Sequence, residues 1–553
     1  MSDIDTTVRV AVDDLVVPIN LNEATLKNIL DMDPEPDPDS KIQVVDGRYA
    51  FVDNGSFTSE VVEIPEVVLP EPAIAPTVSI IKIGQPTGAS AKIPAGVYSI
   101  DLPHTDTQLS TETYNVSKFI VSVDYIETQF NVSIGLSLPE LAGVLRAASF
   151  EDLSFKLPKG LKVGGESSYD PATGILNAGS VRIENGTATV SLFVTGVDFL
   201  AAGLDYDVER SHISFAEELG LTGGRLVFDA ADVVGASLPS SVTFTTDYSM
   251  GEIKVTSFTG KMKYELDGMN VSDVSLSDLP DVLMQQGTDL RIANPQIYIS
   301  VNNPLARYSV SAQSGFEITS YVKEDAVGTY GLDEPYFTIS GTPATDHYAY
   351  YFSPKSVTTL YPGYEGAEHV GYAELSNVLS GNQVPDRLGI DFVSPSVPEQ
   401  SVAGLPIGQS LGTVDGTYTF CAPLAFAADS KIVYADVVDG WASEDLDALT
   451  IEALDVNATV STDLPVGVHF TGYPIDRQGN QINGVKIEGA DISAGASGQP
   501  LHIRITGAIQ GLDGIRFEAT VATTTDTEAL APDMTIRLSD IRPRISGYYT
   551  KEL

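Results

Sequence analysis

The sequence predicts an all-β chain built of several antiparallel β-sandwich domains in tandem, immunoglobulin-like, with short helical inserts. Apolar and polar residues alternate through most of it, as in Val8–Val12, Ile297–Val301 and Ile503–Ile505, which is the period of half-buried strands. Turn signals such as Asn185-Gly186 recur about every 8 to 14 residues. The 48 glycines and 32 prolines leave little room for long helices.

Several local elements follow from the same patterns. Short helical turns are predicted over 23–30, 138–148 and 276–286. A further turn is predicted at Asp53-Asn54-Gly55, because this residue combination usually interrupts strands. The proline-spaced stretch 69–76 predicts a semi-rigid linker.

At 553 residues the chain is too long for a single core. Four segments are predicted. Residues 1–78 form an N-terminal tether and a small β segment with a Pro/Asp-rich loop, and residues 79–290 form the first sandwich region. Residues 291–405 form a tyrosine-rich β domain, and residues 406–553 form the C-terminal sandwich.

An internal similarity supports a duplicated sandwich. Ser117–Val121 resembles Ser430–Tyr434, and Leu157-Pro158 is echoed by Leu464-Pro465. The turn that begins at Asp170 is echoed by the turn at Asp476, where each aspartate is expected to cap its own backbone. The matches keep their order, which predicts two related copies in the second and fourth segments. A fainter third echo begins at Leu238-Pro239.

The net charge of the chain disfavours some classes of binding partner. Against 75 acidic residues there are 31 basic ones, a net charge of −44 with histidine neutral. A field of that sign repels phosphate backbones and anionic lipid, so nucleic acid is not an expected partner. It favours solubility and loose, adventitious Ca²⁺ binding.

The N-terminal residues Ser2-Asp3-Ile4-Asp5 resemble the Ser- and Asp-rich tail that follows the lipidated cysteine of Bacteroidota surface lipoproteins. The strand Gln296–Val301 lies between Asn294-Pro295 and Asn303-Pro304, a punctuation similar to that of uncharacterised Bacteroidota surface sandwiches. The resemblance implies an extracellular protein on the bacterial outer membrane, whose membrane contact is a lipid anchor.

The residues with reactive side chains show no catalytic pattern. The six histidines lack short-spaced partners for a zinc site. Cys421 lies in an apolar strand-like context and is expected to be a buried, inert thiol rather than a nucleophile. The aspartates of the 31–39 stretch alternate with prolines, which favours a solvated linker over a calcium loop. We therefore expect no enzyme activity, no catalytic residues, no bound metal and no cofactor.

Tyrosines concentrate in one region of the chain. Nine of the 24 lie in a tenth of the sequence, at Tyr321, Tyr330, Tyr336, Tyr348, Tyr350, Tyr351, Tyr361, Tyr364 and Tyr372. Exposed tyrosines stack on sugars or anchor protein partners. The predicted ligand-binding residues are His347, Tyr348, Tyr350, Tyr351, Tyr361 and Tyr364. The alternative is that these rings pack between sheets.

Two functions are favoured after these exclusions, and a third, a hydrolase whose carboxylate pair no motif marks, stays open. The first is a non-catalytic surface lipoprotein with a structural, adhesive or assembly role. The second is a surface glycan-binding protein of a polysaccharide-uptake system, with the tyrosine-rich segment as its site. The expected partner is a glycan or a cell-surface protein.

Overall fold

The protein is described from a computed structural model. The described residues are 7–16, 41–84, 93–113, 118–165, 168–204, 206–235, 238–267, 269–276, 279, 283–285, 287–332, 337–341, 347–381, 383–442, 446 and 449–552. These residues form antiparallel strands almost throughout, which confirms the predicted all-β class. Among the described pairs, a single one is parallel.

The first half of the chain contains strands β1 (Thr7–Val16), β2 (Ile42–Val45), β3 (Arg48–Thr58), β4 (Val62–Ile64), β5 (Val67–Leu69), β6 (Thr77–Lys82), β7 (Val97–Asp101), β8 (Thr105–Thr113), β9 (Ile120–Ser137), β10 (Ser149–Lys156), β11 (Leu161–Val163), β12 (Tyr169–Asp170), β13 (Ile175–Arg182), β14 (Thr187–Asp198), β15 (Tyr206–Asp207), β16 (His212–Asp229), β17 (Ser241–Met250), β18 (Ile253–Glu265), β19 (Asn270–Val271) and β20 (Val274–Ser275).

The second half contains β21 (Gln296–Asn302), β22 (Ala312–Val322), β23 (Asp325–Gly331), β24 (Phe337–Ile339), β25 (His347–Ser353), β26 (Glu368–Gly371), β27 (Arg387–Pro406), β28 (Gln409–Gly412), β29 (Asp415–Pro423), β30 (Lys431–Val438), β31 (Leu449–Thr462), β32 (Val468–Ile475), β33 (Lys486–Glu488), β34 (Ala490–Ile492), β35 (Gln499–Ile509), β36 (Gly514–Ala522) and β37 (Ile536–Glu552).

In the part of the chain that the structure describes, helical structure is limited to short turns. The described residues contain one α-helical turn, α1 (Phe199–Ala202), and 3₁₀ turns at Pro139–Leu141, Ala230–Asp232, Pro304–Tyr308 and Ala373–Asn377. The turn predicted over 138–148 is thus a single 3₁₀ turn. The turn predicted over 23–30 and the Pro/Asp-rich loop lie outside the described residues, as does most of 276–286.

The turn predicted at Asp53-Asn54-Gly55 is wrong, because these residues continue β3. Only glycine fits at position 55, because two neighbouring side chains come too close for a Cβ atom. A Cβ at this position would lie 2.3 Å from the Tyr418 ring and from Ser272 Oγ. The glycine therefore makes room for a neighbouring aromatic side chain instead of bending the chain.

Asn185-Gly186 does form a turn, since both residues have positive φ and connect β13 to β14.

Three β-sandwiches share one pattern of strand pairing. In the first, β9 pairs with β14 and β17, and β10 pairs with β13 and β16. In the second, β21 pairs with β25 and β29, and β22 pairs with β23 and β27. In the third, β30 pairs with β36, and β31 pairs with β35 and β37. We call β9, β21 and β30 the lead strands, and β17 and β29 the closing strands.

The stretches that resemble each other in sequence lie at equivalent places in this pattern. Lys118–Val121 runs into the lead strand β9, and Ser430–Tyr434 into the lead strand β30. Residues 238–253, the fainter third echo, instead run through β17 into β18. The additional sandwich is the tyrosine-rich segment, whose strands repeat the same pairing although its sequence shows no such echo. Common ancestry of the copies stays a prediction.

The first two sandwiches are joined through one sheet. β18 pairs with β9 on one side and with β27 on the other, so a single 12-stranded sheet contains strands of both. Buried side chains of these two sandwiches form one continuous core. Most buried residues of the third sandwich form a second core, which includes Ile451, Ile503 and Ile545. Residues Ile432, Leu464 and Val466 of this sandwich belong to the continuous core instead.

Strand pairing also joins residues of different predicted segments. β3 and β29 pair along nine residues, so the N-terminal segment and the start of the C-terminal segment form one sheet with β21. β1 pairs with β37 at the opposite end of the sequence. The predicted linker is extended, and its carbonyls at Pro70 and Ala75 accept hydrogen bonds from Thr111 and Thr107 on β8.

Candidate functional site

The predicted tyrosines begin on β25, where alternation divides them between two faces. Tyr350 packs into the continuous core with Phe352, and Tyr348 packs against the same core. Tyr351 lies on the opposite face. Since successive side chains of a strand point to opposite faces, three nearby tyrosines cannot form one surface. His347 opens the strand, with its backbone opposite Asn302.

A loop over residues 354–367 covers the outer face of this sheet. Asn294 holds its first turn, because the Asn294 side chain accepts a hydrogen bond from Lys355 N at 2.9 Å and donates one to Lys355 O at 3.0 Å. The loop places Tyr361 and Tyr364 over β21. The Asn-Pro signal recognised in the sequence thus anchors the segment that carries two predicted tyrosines.

Tyr298 on β21 is the centre of the resulting aromatic cluster. Its ring centroid lies 5.6 Å from Tyr351, 5.9 Å from Tyr361 and 5.1 Å from Tyr364. These separations are typical of favourable aromatic pairs. Tyr298 is fully buried, Tyr351 and Tyr364 are nearly so, and Tyr361 is half-buried.

Hydrogen bonds engage the hydroxyl groups of Tyr298 and Tyr364 in the cluster. Tyr298 Oη donates to Gln296 Oε1 at 2.7 Å. Tyr364 Oη and Thr419 Oγ1 are 3.1 Å apart, and Thr419 Oγ1 donates to Asn54 Oδ1 at 2.7 Å. Burial raises the pKa of Tyr298 to about 12, so this phenol is neutral at physiological pH. These hydroxyl groups thus contribute hydrogen bonds to the packing of the cluster.

Three of the six predicted binding residues, Tyr350, Tyr351 and Tyr364, are therefore buried. The hydroxyl of Tyr350 donates to the Thr338 carbonyl, and burial raises the pKa of this phenol. The structure brings Tyr351, Tyr361 and Tyr364 together and leaves Tyr348 and Tyr350 on the other side of the sheet. A ligand-binding role for the six residues stays a prediction.

A cleft of about 520 Å³ lies beside the cluster. Tyr298, Tyr361 and Cys421 contribute to its lining, together with the β2–β3 hairpin around Asp46 and Arg48. Arg48 donates to Ala529 O at 3.0 Å, which ties this side of the cleft to the C-terminal region. An apolar lining with a few polar groups is the usual composition of a ligand pocket.

Sequence reasoning missed Tyr298 as a site residue. A signal was present, because Ile297, Ile299 and Val301 occupy one phase of β21 and Tyr298 occupies the other. A tyrosine on the phase opposite a strand's core residues must face solvent or be covered by another segment. The covering segment is distant in sequence from β21, so local patterns could not reveal it.

Cys421 is buried, as expected. Burial raises the pKa of its thiol to about 12, which suppresses the reactive thiolate at neutral pH. His469 and His502 each contact one carboxylate, Asp491 at 2.7 Å and Asp455 at 2.8 Å. Within the described ranges, no three His, Cys, Asp or Glu side chains group as metal ligands. No helix in those ranges is long and apolar enough to cross a bilayer.

No protein-family model and no curated protein matches the sequence. Among solved structures, the chain is similar to a protein of Parabacteroides distasonis that is provisionally described as secreted. The identity is 12% and the TM-score 0.36, over 52% of this chain and 89% of that one. The major capsid protein of Faustovirus gives 8% identity and a TM-score of 0.09, over 100% of this chain and 91% of that one. Both TM-scores are too low to show a shared fold.

Proposed function

We propose that the chain is a non-catalytic protein of a bacterial cell surface that acts in adhesion or in the assembly of a surface structure. The main support for this proposal is the 12-stranded sheet, which joins two sandwiches through the β9–β18–β27 pairing. Continuous pairing resists bending between domains better than a flexible linker does. A stiff tandem of sandwiches is suited to holding a contact away from the membrane.

Two features of the sequence support the cell surface as its location. The residues Ser2–Asp5 resemble the tail of a surface lipoprotein, and the net charge of −44 suits a protein displayed at high density in water. The lipid anchor on the outer face of the outer membrane belongs to this proposal.

The test uses intact cells of the source bacterium. Antibody labelling and protease shaving should detect the protein outside, and a deletion strain should lose adhesion or a surface structure that the intact gene restores. Retention of the protein inside the cell contradicts the proposed location. Turnover of a glycan by the purified chain contradicts a non-catalytic role.

Glycan binding is the second candidate, and the cleft beside Tyr298 favours it. Of the six predicted residues, Tyr361 lines this cleft. If a polysaccharide binds there, Tyr361→Ala should weaken binding roughly two- to tenfold, since a stacked aromatic residue contributes about 0.5–1.5 kcal/mol.

Tyr308→Ala is the matched control, because Tyr308 is also half-buried but lies away from the cleft. A titration of wild type and both variants against a broad polysaccharide panel decides the matter. Equal affinities for the two variants, or no binding to any polysaccharide, would exclude a glycan site in this cleft.

A further inference from the structure

The third sandwich differs from the other two at the outer edge of its lead strand. In the first sandwich the closing strand β17 pairs with β9 from Thr245 to Met250. In the second, β29 pairs with β21 along the whole of β21. In the part of the chain that the structure describes, no strand takes the equivalent place beside β30.

The backbone of β30 shows where this edge is open. Lys431 N donates to Asp289 O at 2.8 Å, and Val433 N donates to the Thr288 hydroxyl at 3.3 Å. Ala435 lies two residues further along the strand than Val433, so its N–H points to the same outer edge. Among the described residues none pairs with the Ala435 N–H, and the next outward amide, Val437 N–H, donates only to the neighbouring Asp436 side chain, at 2.8 Å. No described strand therefore occupies this edge from Ala435 onward.

The core behind this edge is incompletely covered. On the other lead strands, Ile134 and Ile299 face their cores and are at most 1% exposed. On β30 the corresponding phase is less covered: Tyr434, which packs against the continuous core, and Val438, which packs against the third core, are half-buried. Asp436 between them is exposed, and Phe517, its partner on the neighbouring β36, is half-buried. Apolar groups that a closing strand covers in two sandwiches thus remain partly in contact with water in the third.

A cleft of about 490 Å³ lies beside the open edge. Gln285 and Gly287 line one side of it, and Ala435, Val437 and Arg516 line the other. Val437 is 47% exposed, although it is a large apolar residue. The edge is therefore accessible along the strand and has apolar side chains within reach of an added segment.

We infer that the outer edge of β30 binds a β-strand of a separate polypeptide, antiparallel to β30 and with apolar side chains at alternate positions. The closing strands define this chemistry. β17 inserts Val242, Phe244 and Tyr248 into the core of the first sandwich from alternate positions. Strand addition to an open edge combines main-chain hydrogen bonds with side-chain burial. The net charge of −44 disfavours a second copy of this chain as the donor.

This inference rests on the proposed assembly role, which it extends by naming the kind of partner. The direct test uses the purified chain and a synthetic peptide with the sequence of β17, Ser241–Met250. The peptide should bind saturably and raise the melting temperature, because it buries the exposed edge of the core. A peptide of the same composition with its alternation scrambled should do neither.

Ala435→Pro is the diagnostic variant. Proline removes the outward N–H but no bond to β36, so it should weaken peptide binding roughly tenfold. Ala435→Val is its matched control, because valine retains the N–H and favours a strand. Equal binding of the two peptides, or equal affinity of the two variants, overturns the inference.

A second experiment supplies the strand in cis. The β17 sequence is appended after Leu553 through about ten flexible residues, since residues 230–240 and 407–414 make the corresponding connections in the complete sandwiches. The fusion should melt at a higher temperature than the unmodified chain and should no longer bind free peptide.

If the unmodified chain self-associates and the peptide abolishes this association, the strand donor is a second copy of the chain. Failure of both strand experiments excludes strand binding but leaves the proposed adhesion role intact. A deletion strain that keeps its adhesion and surface structures, while the purified chain still binds the peptide, excludes the proposed role but leaves strand binding intact.

Discussion

At the scale of single residues, a substitution of Tyr298 tests how much its hydroxyl group stabilises the aromatic cluster. Tyr298→Phe keeps the ring but removes the donor to Gln296 Oε1, a group on a residue that is itself buried. We expect a loss of about 1–3 kcal/mol in unfolding free energy, because a buried acceptor loses its partner. Urea denaturation measures it, and Tyr361→Phe is the control, expected within about 0.5 kcal/mol since Tyr361 is half-exposed. Equal effects would show that the hydroxyl of Tyr298 contributes nothing.

Buried phenols also predict an alkaline limit to stability. Burial raises the pKa of Tyr169, Tyr298 and Tyr418 from 10.0 to about 12. Above pH 10 the unfolded chain loses these protons while the folded chain keeps them, so stability falls as pH rises from about 10 toward 12. Urea midpoints measured from pH 8 to pH 11.5 should decline over that window, and the absorbance change of phenolate should lag in the folded protein. A flat midpoint contradicts this expectation.

The sequence identified the tyrosine-rich segment but not the arrangement of its residues. Period-2 alternation on β25 was sufficient to assign Tyr350 and Tyr351 to opposite faces. The burial of Tyr364 depends on the loop that Asn294 anchors, and this long-range contact leaves no local pattern. The aspartate caps were predictable, because Asp170 and Asp476 accept bonds from amides only two residues on.

At the scale of elements, the β9–β18–β27 junction depends on a glycine. A Cβ on Gly260 would lie 2.1 Å from Ser122 O, a backbone atom that cannot move without distorting β9. Gly260→Ala should therefore cost about 1–3 kcal/mol by overpacking. The control is Gly371→Ala, because nothing lies within 4 Å of a Cβ there, and it should change stability by less than about 0.5 kcal/mol. Similar unfolding midpoints for both variants would show that the junction tolerates separation of β9 and β18.

Most strands were predictable from alternation, and their partners were not. β1, β21 and β35 follow the patterns at Val8–Val12, Ile297–Val301 and Ile503–Ile505. However, β3 pairs with β29 and β1 with β37 across several hundred residues of sequence. Register between such distant strands is set by core packing, which a single sequence does not display. For the same reason, the second sandwich has the same strand pairing as the first although its sequence shows no internal repeat.

At the scale of the whole molecule, the net charge of −44 works against the compact state. Screening shortens the range of like-charge repulsion from about 30 Å at 0.01 M salt to about 8 Å at 0.15 M. We therefore expect the melting temperature to rise between these two salt concentrations. Differential scanning fluorimetry in NaCl measures this, with sucrose at matched osmolality as the control. A melting temperature independent of salt would show that the charges are too dispersed to oppose folding.

The two separate cores predict two cooperative units within one chain. Ile134 belongs to the core that the first two sandwiches share, and Ile503 belongs to the core of the third, and both are fully buried on strands. Truncation of either to alanine should cost about 2–5 kcal/mol. In scanning calorimetry, Ile134→Ala should lower the transition of the first two sandwiches and Ile503→Ala that of the third, because each cavity destabilises only the unit that contains it. A single transition shifted equally by both variants would mean that the contacts of β30, such as Ile432 in the continuous core and the Asp289–Lys431 bridge, couple the third sandwich to the other two. A strand added to β30 should then stabilise the entire molecule.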